Sequence, residues 1–480
     1  MHIVDLLIFF FYLLAMLGVG FYFLRRNKTT DDYFVGGRKM NSLHIGLSVV
    51  ATDVGGGFSI GLGGLGFIMG LAGSWLLFTG LIGAWISGVF LIPRVFRVAS
   101  EKGFLSFPQF LGNVFNSRVA FIAGIISAIS YLGFTSSQIL AGAKLASSTF
   151  DGLTLTQALI LMGAIAIVYT ALGGLKAVIY TDTIQWIILL TGLIFVALPF
   201  TLVSVGGWDV VRETIRPEFL SLSNVSWQQL VNWAFTIIPI WFVGMTLYQR
   251  IYAAKDRRTA QRGWFIAGLF EYPVMAFIGV VLGMLSRVAI MNGIIEGYTV
   301  GNIDPEMGLP LLLKTILPVG FLGIVLSVYF SAIMSTADSC LMASSGNLLT
   351  DVLRKHDGKN SLRYSQLLTL ILGVLALFLA LRMENVLELM LLSYAFMVSG
   401  LIVPVLAGLF TRSPSSRAAL VSMIAGGGTT ISLILLQTDL PLGLDVNIFG
   451  ISMSLVSYLV VYFFVEKQRS RPDPGSMKGG

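Results

Sequence analysis

Apolar runs near or above ~18 residues, with few or no charges, recur along nearly the whole chain, and no other feature narrows its possible folds as much. Where such a run meets hydrocarbon, every backbone N–H and C=O must be paired inside the protein. It is therefore a helix or a strand of a closed barrel. Barrel strands are about ten residues long and alternate in polarity; these segments do neither. Only 11% of the residues are charged and 56% are hydrophobic, where a soluble chain has roughly 25% charged. The sequence predicts an all-α integral membrane protein.

Hydropathy places about thirteen spans, near 2–24, 43–70, 72–93, 119–149, 156–174, 178–204, 227–249, 263–288, 307–347, 364–381, 386–410, 415–437 and 447–465. The span near 307–347 is too long for one crossing, so it is expected to overrun the bilayer or to contain a break. With the N-terminus outside and the C-terminus inside, roughly 25 of the 31 Lys and Arg residues fall on inside segments, as cytoplasmic loops require. These cations include Arg25, Arg38, Arg94, Lys102, Arg250, Lys255, Arg354 and Lys467. The formal charge of +7 is thereby explained without a nucleic-acid partner. Asp5, not Lys or Arg, precedes the first run, which is read as a retained helix and not a cleaved signal. The loops 205–226 and 289–306 are outside and too short for a core of their own, and the polar tail 468–480 is expected to be disordered. Cys340 is the single cysteine, so no intrachain disulfide forms.

Transporters place their sites where a membrane helix unwinds, because freed carbonyls and half-helix ends then face ions and solutes. Two spans carry such interruptions. The second sets Asp53 beside Gly55, Gly56 and Gly57, and each glycine costs a helix about 1 kcal/mol relative to alanine. The seventh contains Pro239 and Gly244. Five spans separate the two, the spacing of two inverted five-helix repeats that each open with a discontinuous helix. Three glycines can also serve close helix packing, and Asp53 can cap the half-helix that follows it. An intramembrane acid nevertheless costs about 2.5–3.5 kcal/mol on insertion scales, which points Asp53 toward ion binding or coupling. In the ninth span Ala332, Ser335 and Thr336 share one helix face. Their oxygens suit a hard cation, unless the hydroxyls only bond back to the preceding turn. Asp338 is a second acid there, placed to hold another cation or to position the serines.

Other signals fail their context. Gly61-Leu-Gly-Gly-Leu-Gly66 has the form G-x-G-x-x-G, but follows no strand and lies within a membrane helix. No P-loop is present to spend ATP, and His2, His44 and His356 form no zinc signature.

The chain resembles the sodium:solute symporters, the family of sodium-coupled sugar, proline, pantothenate, choline and sialic acid carriers. Four segments carry the likeness: Ala51-Thr-Asp-Val-Gly-Gly-Gly57, Gly173-Gly-Leu-Lys-Ala-Val-Ile-Tyr-Thr-Asp-Thr-Ile-Gln185, Gln249-Arg-Ile-Tyr-Ala-Ala-Lys-Asp256, and Ala332-Ile-Met-Ser-Thr-Ala-Asp-Ser339 followed by Thr350-Asp351. Asp53 stands where the choline carriers have Trp and the proline carriers have Asp. The resemblance implies a LeuT-type five-plus-five inverted repeat with one extra N-terminal and two extra C-terminal helices. Its divisions would be 1–42, 43–204, 205–410, 411–467 and the tail 468–480. It also implies a sodium site from the carbonyls of Ala51, Val54 and Ala332 and the hydroxyls of Ser335 and Thr336, with Asp53 and Asp338 in coupling. Asp182 would lie near the cytoplasmic gate, or would cap the sixth span with Gln185. The implied solute pocket is lined by Gly55, Gly56, Phe58, Tyr131, Gln138, Trp241, Phe242 and Tyr394. Gly244, in place of the Asn of sugar carriers, argues against a sugar. Glu271 has no assigned role.

The expected function is sodium-coupled symport of a small polar organic solute into the cell, in the plasma or inner membrane, with sodium as the co-transported ion. Rival readings are a proton-coupled or uncoupled transporter of the same fold, a sensor or channel, and a membrane enzyme. No nucleophile–base or metal cluster supports the last.

Overall fold

The computed structural model describes residues 2–26, 35–173, 175–354, 361–437 and 440–469. Within these residues the regular structure is helical, and the one β-bridge pairs Met40 with Ala254. In chain order the main helices are α1 (Ile3–Arg26), α2 (Ser42–Asp53), α3 (Gly55–Met69), α4 (Trp75–Phe90), α5 (Ser117–Thr149), α6 (Leu155–Gly173) and α7 (Leu175–Gly192). The second half holds α8 (Trp227–Val243), α9 (Met245–Ala253), α10 (Arg257–Leu269), α11 (Ala276–Met291), α12 (Pro305–Ile316) and α13 (Phe321–Asn347). It ends with α14 (Ser361–Ala380), α15 (Val386–Phe410), α16 (Ser416–Leu436) and α17 (Val446–Arg469).

Polar residues at the mouths of the apolar runs start these helices. The side chains of Asn41, Asn116, Ser226, Asp256 and Asp304 each accept a backbone N–H of the turn that follows, satisfying donors that a helix leaves open. α5 packs against α13 and α15, α2 against α7 and α10, and α3 against α11 and α12. The apolar window of Phe321–Val352 is 89% buried and that of Val446–Phe464 only 22%. The first is therefore a central helix and the second presents most of its surface to lipid. The segments Gly207–Thr214 and Pro217–Leu220 pack Val211 and Phe219 onto the ends of α3 and α11 in a small apolar cluster.

Among the described residues nine helices are long and apolar enough to cross a membrane, ten if the bent pair Trp227–Val243 and Met245–Ala253 is one span. The apolar stretches Ile3–Ala15 of α1 and Leu155–Val168 of α6 are shorter. The long ninth span does contain a break, at Leu317–Gly320, between α12 and α13. In the seventh span the helix runs straight through Pro239 and bends by 42° at Gly244 instead. In the second, Gly55 alone of the three glycines takes a positive φ, +48°. Arg250, counted among the loop cations, is fully buried, because α9 continues past the break to Ala253 and carries it into the protein. The tail from residue 470 lies outside the described residues, as do loop residues 27–34 and 355–360.

Candidate ion and solute site

The break between α2 and α3 leaves Val54 as the hinge, and Gly55 takes the left-handed conformation that only glycine enters cheaply. Asp53 does not cap α3: Val54 occupies the cap position and no side chain bonds the first turn. Against this break lies α13. Thr336 Oγ1 donates to the carbonyl of Ala51 at 2.9 Å and to that of Ala332 at 3.1 Å. A Cβ on Gly55 would sit 3.0 Å from Thr336 Cγ2, so glycine is also what lets the two backbones approach. Ala51, Ala332 and Thr336 are thus joined directly, and Val54 is buried at the same break.

Ser335 does not bond back to its own helix; it donates to Oδ1 of Asp182. Ser48 of α2 donates to Oδ2 of Asp182 at 2.6 Å. Asp182 lies two turns inside α7, so it is no helix cap, and Gln185 reaches Ser331 instead. Arg250 lies 3.7 Å from Asp182 Oδ2 and donates to Ser48 Oγ, Thr52 Oγ1, Ser339 Oγ and the carbonyl of Thr246. One buried guanidinium therefore ties together α2, α7, α9 and α13. Asp338 is turned away from this group: it accepts from Thr170, and with Ser335 it lines a cavity of about 200 Å³ bordered by Phe10, Phe330 and Met334.

The solute residues divide into two sets. Gln138 Oε1 accepts the backbone N–H of Gly57 at 3.0 Å, and the Tyr131 hydroxyl meets Thr246 Oγ1 at 3.0 Å, just past the second break. Tyr394 donates to Asp53 Oδ1 at 3.4 Å and stacks on Phe134 with centroids 4.9 Å apart. These contacts gather Asp53, Tyr131, Gln138 and Tyr394 at the two broken helices. Trp241 instead packs against Gly83 of α4 and edge-on to Trp264, while the Phe242 carbonyl accepts the Tyr248 hydroxyl. The side chain of Phe58 and the surroundings of Gly56 lie outside the described residues.

Comparison with known proteins decides the family. The sodium:solute symporter family matches residues 33–426. The chain belongs to that family. It is 28% identical over 439 residues to the high-affinity proline transporter PutP of Bacillus subtilis, covering 87% of this chain and 89% of that one. It is 29% identical to the sodium/proline symporter of Escherichia coli over 442 residues, with 89% and 87% covered. With rabbit (Oryctolagus cuniculus) sodium/glucose cotransporter 1 it shares 27% identity over 394 residues, covering 73% of this chain and 58% of the relative. A sodium-coupled sialic acid symporter, solved substrate-bound and outward-open, superposes with a TM-score of 0.78 at 20% identity, over 95% of this chain and 97% of that structure. That likeness shows a common fold.

The protein is thus a sodium-coupled symporter with the LeuT-type architecture, and its relatives are transporters, not enzymes. Two networks in this symporter escaped sequence reasoning. One is the Arg250 cluster, whose signals were a cation eleven residues after a proline and its place in the family-like stretch Gln249–Asp256. The other joins Lys144 of α5 to Asp304 and Glu306, each at 2.6 Å. Glu306 also accepts the N–H groups of Val386 and Leu387 at the start of α15. A lysine inside an apolar span was the available clue.

Proposed function

We propose that this symporter carries a small polar organic solute into the cell together with sodium, by alternating access. Sodium would be held by the carbonyls of Ala51, Val54 and Ala332 and the hydroxyls of Ser335 and Thr336. Asp53 and Asp338 would couple the ion to the solute, and Asp182 would act in the gate. The pocket would be lined by Gly55, Gly56, Phe58, Tyr131, Gln138, Trp241, Phe242 and Tyr394. The observation that carries this reading is the contact of Thr336 with the Ala51 carbonyl at the unwound point of the second span. A broken helix and a hydroxyl-bearing helix meeting there is the arrangement that collects oxygens around a hard cation. Ion binding would tighten the break and favour the neighbouring pocket, and the solute must return the same free energy to the ion.

The basic-loop asymmetry supports a plasma or inner membrane protein with about thirteen crossings, N-terminus outside and C-terminus cytoplasmic. The sodium gradient, not ATP, drives it, and nucleic acid has no part. The repeats would span 43–204 and 205–410, with 1–42 before them, 411–467 after them and the tail 468–480. Its relatives carry proline and glucose. The test is uptake into proteoliposomes of a solute panel, with and without an inward sodium gradient and with the pH gradient clamped. Accumulation of one solute only under the sodium gradient is expected, and accumulation indifferent to sodium would refute the site.

A further inference from the structure

Glu271 follows α10, in the helical segment Phe270–Met275 that leads into α11, and is fully buried, as is Trp241, while Asp53 is 5% exposed. The carboxyls of Asp53 and Glu271 lie within hydrogen-bonding reach of each other. Two carboxylates offer only acceptors, so the contact needs a donor or a positive charge supplied from elsewhere. Among the described residues no donor reaches either oxygen of Glu271. Each of the other buried acids has a donor on at least one oxygen: Asp5 has backbone N–H groups, Asp182 has Ser48 and Ser335, Asp338 has Thr170, Asp351 has Ser106 and Glu306 has Lys144. The buried cations among these residues, Lys144 and Arg250, are committed to other partners. A buried acid without donor or counter-charge costs several kcal/mol, so the pair is an incomplete binding site.

The chemistry of what completes it can be narrowed. A single shared proton would satisfy one Glu271 oxygen and leave the other bare. A hard metal ion needs oxygens on every side, while the oxygens here, the two carboxyls and the Tyr394 hydroxyl, face an otherwise apolar wall. Glu271 packs on Gly80, and Trp241, its indole N–H also without a partner, packs on Gly83 one turn along the same face of α4. Several N–H donors on an apolar body, beside an indole, describe an organic ammonium. A second, separate feature agrees. A cavity of about 670 Å³ opens above the outer ends of α3 and α8, and the charged residues that line it are acidic: Asp304 and Glu306, which pair with Lys144, and beside them Glu388 and Asp445.

Resting on the symport reading, we infer that the Asp53–Glu271 pair binds the ammonium group of the solute, which makes the cargo an amine. The test is thermal unfolding of the purified full chain in sodium, with ethanolamine and putrescine as probes and ethylene glycol and glucose as neutral counterparts. The amines are expected to raise the Tm and the neutral compounds to leave it unchanged. Glu271→Gln is expected to weaken amine binding by about tenfold or more while the protein keeps its stabilisation by sodium. Glu271→Asp, which retains the charge, should lose less. Equal shifts from amines and neutral compounds, or amine binding untouched by Glu271→Gln, would overturn the assignment. Loss of sodium stabilisation in a monodisperse Glu271→Gln protein would overturn it in favour of a metal ion. A pH-dependent shift with no response to amines would overturn it in favour of a shared proton. A wild-type protein that ignores sodium yet binds amines through Glu271 would uphold the assignment and sink the sodium site instead.

Discussion

The hydroxyl of Thr336 donates to the carbonyl of Ala51 at 2.9 Å, joining residues 285 apart in sequence where α13 packs on the last turn of α2 before the break. Sodium entering the proposed site competes for that same carbonyl lone pair and takes the hydroxyl oxygen as a ligand. Thr336→Ala should therefore raise the sodium concentration for half-maximal uptake by about tenfold, the worth of one buried hydrogen bond of ~1.4 kcal/mol. Thr336→Ser keeps the oxygen and should stay within about twofold. Sodium titrations of uptake at saturating solute measure both. Equal sodium dependence in Thr336→Ala, Ser335→Ala and wild type would show that the ion sits elsewhere.

Gly55 combines a φ of +48° with a Cβ position against Thr336. Gly55→Ala should cost about 1–2 kcal/mol from the left-handed backbone alone, and more from displacing the threonine. Gly428, exposed in α16 with nothing within 4 Å of a built Cβ, is the matched control. Gly428→Ala should change stability by no more than about 1 kcal/mol, and in the favourable direction. Detergent thermal unfolding of the two variants side by side tests the contrast.

Asp182 is the carboxylate beside the buried guanidinium of Arg250, at 3.7 Å. Asp182→Asn leaves that charge without a counter-ion and should destabilise the protein by roughly 3 kcal/mol. The double variant Asp182→Asn with Arg250→Gln should recover part of the loss, because removing both charges costs less than stranding one. A double-mutant cycle on unfolding temperature reads this coupling, and strict additivity would mean that the pair is not an interacting unit.

Lys144 holds Asp304 and Glu306 at the mouth of the vestibule, and Glu306 in turn caps α15 through Val386 and Leu387. Lys144→Met should strand Glu306 and cost about 3 kcal/mol. It should leave the sodium dependence of the remaining transport unchanged, since the cluster touches neither broken helix at its gap. Thermal unfolding and sodium titration of the same preparation separate the two effects.

The ladder of helices was legible because hydrocarbon imposes one rule on every span, and that rule is written in composition. The meeting of Ala332 and Thr336 with the break at Val54 was legible in part: helix periodicity aligned the hydroxyls and family likeness supplied Ala51, but the bond of Ser335 to Asp182 was not foreseen. What could not be read was direction. Arg250 looked like one more loop cation, because hydropathy records that a charge ends a span and not which way its side chain turns. Pro239 and Gly244 both marked the interruption, and the bend falls at Gly244, since a helix tolerates a proline where neighbouring groups satisfy the freed carbonyl. Glu271 and Asp53 stand more than two hundred residues apart in sequence, and only packing against Gly80 brings the glutamate to its place.

The position of Arg250 has a consequence for how the transporter moves. Its guanidinium fastens α2 to α9 and α13 on the side of the basic loops, and does so while dry. If these helices part, water reaches the guanidinium, and a hydrated ion pair is worth about 0–1 kcal/mol. Each molecule of water admitted weakens what keeps the next one out. Separation on that side is therefore expected to be cooperative, since water reaching the guanidinium lowers the cost of further opening.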